Sequence, residues 1–428
     1  MTRTRRTVGL ALAALGMTAA LAGCSTTAST GSGDADLTFM VFETPALGPE
    51  FWDQSIENAL TDLPDVTVNK IVSPGGDRTA YAKQLQASDQ FPDVLASITP
   101  RDFLEAGLLE PFDQDWLDEN FILPEANDID GGTYIPPTNS QVLPLVFYNK
   151  ALFAEHGVEV PETWAEFVAA IEKFRAADVT PLELAGSEPW AASMPLVGLS
   201  SADVLGQDPE WIQKRYAGEV SFSDPLYVGA LEKARDLVEM EAYDPAALSV
   251  DYATANRNFL DGKSAMYPMG SWFTGSSYIT PEQAENIGAF PWPTDDGSIV
   301  VPFNVGGTTA VSSQSEHVDE ATSFAKAWSL DPANLTVLIE TDGAYPMFKD
   351  RSIEDFDVSV SGLYLDTYAY VTDENSKVSS FGWVNNNDSL APGMNDALYA
   401  LSQALFSDGD VAAQAAQLDK EWDAAVGK

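Results

Sequence analysis

The residue types most often used for chemistry are scarce in this sequence. Among 428 residues there are two histidines, His156 and His317, and one cysteine, Cys24. A single Cys excludes a disulfide within the chain and any Cys-based zinc site. Two histidines leave little room for imidazole catalysis or metal ligation. His156 follows one short helical stretch and His317 precedes another, positions suited to helix ends or the surface. Carboxylates are the opposite case. With 65 Asp and Glu, some pair will always match the spacing of a hydrolytic dyad, so such a pair carries no weight. Gly262-Lys263-Ser264 has the ending of a phosphate-binding loop, but that loop needs a Gly where Arg257 stands. No Gly-x-Ser-x-Gly elbow occurs. Asp113, Asp115, Asp118 and Glu119 lack the Gly and the ligand spacing of a calcium loop and read as a solvated acidic turn. No cofactor or metal is expected.

The charge narrows the choice further. A formal net charge of −43 repels phosphate backbones and anionic headgroups, which excludes nucleic acid as a partner. A 45% hydrophobic content nevertheless places the chain among folded proteins, and its length favours two domains.

The N-terminus reads as an address. Arg3, Arg5 and Arg6 precede an apolar run, Val8 to Ala22, that is shorter than the roughly 20 residues of a membrane-spanning helix. The run ends in Leu21-Ala22-Gly23-Cys24, which resembles a bacterial lipobox. Small residues before the cut admit a signal peptidase, and a Cys directly after it offers a thiol for a diacylglyceryl thioether. Residues 1–23 are therefore expected to be a signal peptide and Cys24 the lipidated residue. The Gly/Ser/Thr-rich stretch 24–36 would be a flexible tether. No later stretch is long and apolar enough to span a membrane, so the body is expected to be exported and held at the outer face of the cell membrane.

From Leu37 onward the apolar pattern alternates between short runs and amphipathic stretches. Leu37–Phe42, Val66–Val72 and Asp93–Ala96 read as strands, with helices around Phe51 to Leu63, Tyr81 to Gln86 and Phe103 to Leu109 between and after them. This rhythm predicts an α/β layered body. The clearest helix starts at Pro161-Glu-Thr-Trp-Ala-Glu166, where Thr163 and Glu166 have capping-box spacing. Trp164, Phe167, Val168, Ile171 and Phe174 form its apolar stripe. Further helices are predicted over 225–240, 318–330, 395–406 and 411–426. Trp328 and Trp422 lie on helical stripes and read as core.

Gly131-Gly-Thr-Tyr-Ile-Pro136, Leu145-Val-Phe-Tyr-Asn-Lys150 and Pro161-Glu-Thr-Trp164 follow one another in a single segment. Pro92-Asp93-Val94, Gly107-Leu-Leu-Glu110, Phe259-Leu-Asp-Gly-Lys263, Gly270-Ser271-Trp272 and Gly343-Ala-Tyr-Pro346 agree in order around it. In combination these resemble the family 1 extracellular solute-binding proteins of bacterial ABC importers, the group that includes maltose-binding protein. The resemblance runs from about residue 37 to the C-terminus. It implies a periplasmic-binding-protein-like α/β fold, two lobes joined by a three-segment hinge with the ligand cleft between them. Lobe 1 would comprise 37–141 and 293–343, and lobe 2 would comprise 142–292 and 344–428. The crossings are expected near 140–143, 287–293 and 342–346. The chain would be a monomer and no enzyme, handing its cargo to permease subunits served by a separate ATPase.

The resemblance also implies where cargo is held. Trp272 matches a family position that stacks on sugar, with Ser271 beside it. Glu188-Pro189-Trp190 resembles a cleft loop of the maltose-binding branch. A sugar ring has an apolar C–H face that lies on an indole, while carboxylates and amides take its hydroxyls. Trp383 with Asn385 suits the same kind of ligand. On the first lobe Glu43, Thr44, Ser97 and Thr99 follow strands, and Tyr345 borders the third crossing. Where the maltose-binding branch carries a Trp, this chain has Ser97 nearest, which counts against a maltodextrin. The expected cargo is a neutral mono- or oligosaccharide. The alternatives are a cationic solute such as a polyamine, or a membrane-tethered secreted glycosidase.

Overall fold

A computed structural model describes residues 35–74, 77–407 and 409–427. The signal peptide and Cys24 lie outside the described residues. The opening strand spans Ala35–Val41, so it begins inside the stretch expected to be tether. The reason is local: the Ala35 amide donates to Asp65 O at 2.8 Å and the Ala35 side chain is buried.

Ala35–Val41 pairs in parallel with Val66–Val72 on one side and Val94–Ala96 on the other. Thr309–Ser312 then adds antiparallel, followed by Leu109–Glu110. Alternation along the strand fills both faces of this five-stranded sheet. Leu37, Phe39 and Val41 pack with Trp52, Ile56, Phe324 and Trp328 on one side. Met40 and Leu95 pack with Ala82, Leu85 and Phe103 on the other. The result is a sheet covered by helices on both faces, the layering that the β-α alternation predicts.

A second, four-stranded sheet is built from Ile287–Pro291, Leu145–Asn149, Ser264–Met269 and Thr180–Leu182. Its outer cover includes the helix Trp164–Ala176, which opens with the expected capping box: Thr163 Oγ1 accepts from the Glu166 amide, and the Glu166 carboxylate accepts from the Thr163 amide. Phe167, Ile171 and Phe174 are fully buried. Trp164 and Val168 are only half-buried, because that end of the stripe reaches the rim, where Lys233 Nζ sits 5.0 Å over the Trp164 ring. Gly262 turns the chain from the helix Tyr252–Leu260 into the strand, and Ser264 Oγ donates to the buried Glu183 carboxylate at 2.8 Å. Burial raises the Glu183 pKa. The phosphate-loop look-alike is thus a structural turn.

A third sheet joins the two halves of the fold. Asn139–Val142 pairs with Val300–Gly306 and with Tyr345–Pro346, placing Ser140 opposite Tyr345. Two of the three stretches expected as crossings are therefore hydrogen-bonded neighbours. After the remaining one, Ile287–Pro291, Trp292 is buried against Phe167. Trp328 and Trp422 are core residues. His156 ends the helix Lys150–His156 and His317 stands at the start of Val318–Leu330.

Candidate functional site

Three tryptophans from widely separated segments converge. Trp190 lies in the short helix Pro189–Ala192, Trp272 in the turn Ser271–Thr274, and Trp383 in the loop after Ser376–Ser379. The ring centroids are 6.1 Å apart for Trp190 and Trp272, 6.3 Å for Trp190 and Trp383, and 6.2 Å for Trp272 and Trp383. All three are half-buried, so each indole lies at the edge of the core, not within it. Trp272 Nε1 donates to the Tyr252 hydroxyl at 3.1 Å, and the Tyr252 ring stands 5.2 Å from Trp190. Trp383 Nε1 is buried with no acceptor among the described residues, a donor left unmatched where water does not reach it.

The backbone is shaped for Trp272. A Cβ on Gly270 would stand 2.1 Å from Cζ3 of the indole, so the ring lies directly over a glycine. The turn is also locked to the third crossing. The Ser276 amide donates to Glu340 O at 2.7 Å, and a Cβ on Gly275 would stand 2.2 Å from Thr341 O. Gly343 has φ +58° and presses against Thr274 and the Ser271 carbonyl.

This packing brings Asp342 to the aromatic group. The Tyr278 ring lies 6.0 Å from Tyr252, and its hydroxyl donates to Asp342 Oδ1 at 3.4 Å. Burial pushes the Asp342 carboxyl up to about 7, opposed by the Tyr278 hydroxyl and the charge of Arg78. Arg78 opens the helix Arg78–Ala87 and places its guanidinium 4.2 Å over the Phe42 ring. Burial lowers its pKa, and Tyr399, Asp342 and Asp77 are the groups that counter this. Tyr399 closes the circuit, 6.4 Å from Trp383. The indoles and Tyr252 form one arc; Tyr278 with Asp342, joined to it through Tyr252, and Tyr399, joined through Trp383, form a second, with Arg78 near enough to Asp342 and Tyr399 for the charges to act on one another.

The sequence expectations distribute as follows. Trp190, Trp272 and Trp383 come together. Glu188 precedes Trp190 at the start of the short helix and is half-buried. Thr44 joins the site from the other arc: its Oγ1 accepts from Leu47 N at 3.0 Å and faces the Tyr278 hydroxyl. Glu43 is exposed beside it. Thr99 acts one step behind, since its amide donates to Thr79 Oγ1 at 3.0 Å and so ties the strand end to the helix that carries Arg78. Ser97 adopts φ +51° and donates its amide to Thr308 O at 2.7 Å. Ser271 and Tyr345 depart from expectation, because both are fully buried. Ser271 Oγ accepts from the Val142 amide at 3.2 Å, and the Tyr345 hydroxyl donates to Thr367 Oγ1 at 2.7 Å. The Ser271 hydroxyl is thus engaged with the first crossing and the Tyr345 hydroxyl with the helix Gly362–Thr372.

Asn385 is half-buried at the base of a different contact. Its neighbours reach across: Asn386 Nδ2 donates to Ala126 O at 3.2 Å, and Asn387 Oδ1 accepts from the Asp130 amide at 3.1 Å. Arg101 pairs with Asp130 at 3.5 Å and lies 5.2 Å over the Tyr216 ring. A surface depression of about 400 Å³, lined by Glu125, Asp128, Gln213 and Asn386 among others, marks this lip and does not lie over the tryptophans. Sequence reasoning missed Arg78, Tyr252, Tyr278, Asp342 and Tyr399. Among the described residues no group of three His, Cys, Asp or Glu is placed to hold a metal ion, and no helix is long and apolar enough to cross a membrane.

Comparison with known proteins agrees with this architecture. Over 92% of the chain, and all of the other, the structure superposes on a chitin oligosaccharide binding protein with a TM-score of 0.79 at 21% identity. It superposes on a solute-binding protein in complex with raffinose with a TM-score of 0.70 at 17% identity, again over 92% of this chain and all of the other. In sequence, a multiple sugar-binding protein of Streptococcus mutans is 27% identical over 187 residues, 42% of this chain and 44% of that protein. A probable sugar-binding periplasmic protein of Mesorhizobium japonicum is 23% identical over 299 residues, 67% of this chain and 70% of that one. The chain thus spans less than half of the first relative's length and about two thirds of the second's. The model of the bacterial extracellular solute-binding proteins matches residues 45–334. The fold is therefore two α/β lobes on a three-segment hinge, and the chain belongs to the bacterial extracellular solute-binding protein family.

Proposed function

We propose that this protein is the cargo-binding subunit of an ABC importer, and that it captures a neutral mono- or oligosaccharide between its lobes. The observation that carries the reading is the convergence of Trp190, Trp272 and Trp383 on one site with a polar arc facing them. Indole faces suit the C–H faces of pyranose rings, and the polar arc supplies donors and acceptors for hydroxyls. Its relatives and structural neighbours, which include sugar-binding proteins and a raffinose complex, support it. Lobe 1 is assigned to 37–141 and 293–343, and lobe 2 to 142–292 and 344–428. The first sheet, apart from the start of its opening strand, falls in the former and the second sheet in the latter. Cargo favours the closed arrangement because the indoles belong to lobe 2 while Thr44, Arg78 and Asp342 belong to lobe 1, so only closure lets both sides touch it. The cargo leaves unchanged, the chain works as a monomer, and permease and ATPase are separate proteins.

A thermal-shift screen with D-galactose, raffinose, stachyose, xylotriose and N,N′-diacetylchitobiose tests the reading. A saccharide at about 100 times its Kd adds about 2.7 kcal/mol to the native state. At least one panel member is expected to raise the melting temperature. A shift with spermidine and none with the saccharides would instead establish the polyamine alternative. Chromatography that finds a cleaved oligosaccharide after incubation would establish the glycosidase.

The lipid anchor is part of the same proposal. Cells expressing the wild type are expected to incorporate radiolabelled palmitate into the protein, and Cys24→Ala to abolish the label. Equal labelling of the two, or none in the wild type, rejects anchoring through Cys24.

A further inference from the structure

The loop 380–389 has three successive attachments. At its start it is fixed to the sheet that joins the two halves and to the core behind it. The Ser380 amide donates to Phe303 O at 3.2 Å and its hydroxyl donates to Leu143 O. The Phe381 amide donates to the buried Ser201 Oγ at 3.0 Å. The chain then turns at Gly382, φ +75°, and the Trp383 amide donates to Ser380 O at 2.9 Å. This turn delivers the Trp383 ring to Trp190 and Trp272. Beyond the ring the loop closes on itself. Ser389 Oγ donates to Val384 O at 2.8 Å, and the Asp388 amide donates to Asn386 Oδ1 at 2.8 Å.

The tip of the loop meets a hairpin from elsewhere. The strands Asp128–Ile129 and Gly132–Thr133 are joined by Asp130 and Gly131, at φ +55° and +93°, the tight turn that an Asp-Gly pair favours. The Asp130 amide donates to Asn387 Oδ1 at 3.1 Å, and Asn387 Nδ2 donates to Asp128 Oδ1 at 3.5 Å. Asn386 Nδ2 donates to Ala126 O at 3.2 Å. The hairpin offers Asn387 one donor and one acceptor, which a side-chain amide matches and a carboxylate does not. A second tie runs beside the first. Arg101, paired with Asp130, lies over the Tyr216 ring, and the Tyr216 hydroxyl donates to Ser389 O at 3.0 Å. On the lobe assignment above, the hairpin and Arg101 belong to lobe 1, and the loop and Tyr216 to lobe 2. The anchors at Ser380 and Phe381 lie at the joining sheet and within lobe 2, so they survive a parting of the lobes. The contacts of Asn386 and Asn387 do not.

We propose that the loop 380–389 is a strap that passes lobe closure to the aromatic site, with Asn386 and Asn387 as positioning residues that hold Trp383 in place while the hairpin 128–133 is seated on them. The inference rests on the cargo reading above and deepens it. Only three residues separate the Trp383 ring from the first of the two amides, and the chain between them is closed by the Ser389 and Asp388 bonds. A pull at the tip is therefore felt at the indole. Cargo that rests on Trp383 favours the seated strap, and the seated strap in turn favours cargo.

The test combines fluorine NMR of the full chain carrying fluorotryptophan with calorimetric titration of D-galactose, raffinose and N,N′-diacetylchitobiose. The signals of Trp383, Trp328 and Trp422 are identified by their loss in Trp383→Phe, Trp328→Phe and Trp422→Phe. Without cargo, the double variant Asn386→Ala/Asn387→Ala is expected to shift or broaden the Trp383 signal and to leave those of Trp328 and Trp422 in place. Asp128→Ala, which cuts one contact from the hairpin side, is expected to move the Trp383 signal in the same direction by less. The double variant is expected to weaken every saccharide that the wild type binds by about tenfold, the scale of two neutral hydrogen bonds. An unmoved Trp383 signal in the double variant overturns the strap, whatever the affinity does. A moved signal with unchanged affinity overturns its role in holding cargo. If no panel saccharide binds the wild type, the carbohydrate reading falls, and the fluorine signal still decides whether the hairpin positions Trp383.

Discussion

Trp272→Ala weakens the binding of a panel saccharide by about 30- to 1,000-fold, the consequence of removing an anchor worth roughly 2–4 kcal/mol. The indole touches both other tryptophans, and its orientation is fixed twice. Tyr252 holds the ring N–H, and Gly270 lies under the ring without a Cβ to displace it. Little rotamer freedom is left to lose on binding, so most of the contact energy is retained. The same substitution costs little stability, because the ring is half-buried at the edge of the core. Titration calorimetry with raffinose and the other panel members, alongside a melting curve, checks both halves. Undiminished affinity would remove Trp272 from the site, and a melting temperature lowered by more than several degrees would show that the indole belongs to the core.

Trp328→Ala produces the opposite pattern. Trp328 is buried under the first sheet, stacked on Trp52 at 6.0 Å and 19°, with Phe39 and Phe51 edge-on at 6.4 Å. Its Nε1 donates to Ser55 Oγ at 3.1 Å, which ties the helix Val318–Leu330 to Pro49–Ala59. Truncation leaves a cavity that close-packed neighbours refill only partly, and it orphans the Ser55 contact. The expected loss is about 3–5 kcal/mol. At roughly 2 °C per kcal/mol for a large chain, the melting temperature falls by about 6–10 °C. Differential scanning calorimetry reads this directly. Saccharide affinity of the folded fraction should remain within about threefold of the wild type, since distant sites act independently. A melting temperature within 2 °C of the wild type would contradict the packing account.

Legibility followed the physics of each level. The helix Val318–Leu330 and the strand Val66–Val72 have the bounds that their apolar patterns predict, because burial of one stripe or one face writes itself into local periodicity. The capping box at Thr163 is equally local. Trp190 and Trp272 were identifiable through the motifs shared with the family, and Trp383 through the asparagines that follow it. Arg78 and Asp342 were not, because each looks like an ordinary residue at a helix end. Their significance depends on Phe42, Tyr278 and Tyr399, which approach only through the fold. Ser271 and Tyr345 lie deeper than their motif positions suggest. They sit at the motif positions of a cleft, but the pairing of Ser140 with Tyr345 draws that part of the crossing into the interior.

The three tryptophans stand with ring centroids about 6 Å from one another. Indoles at such separations share excitation and quench one another, so their emission depends on the gaps between them. Any cargo that wedges these rings apart or replaces one ring's neighbour must change the intensity and colour of the light they emit. The protein therefore carries an unlabelled optical gauge of its own occupancy, built from the same side chains proposed to do the holding.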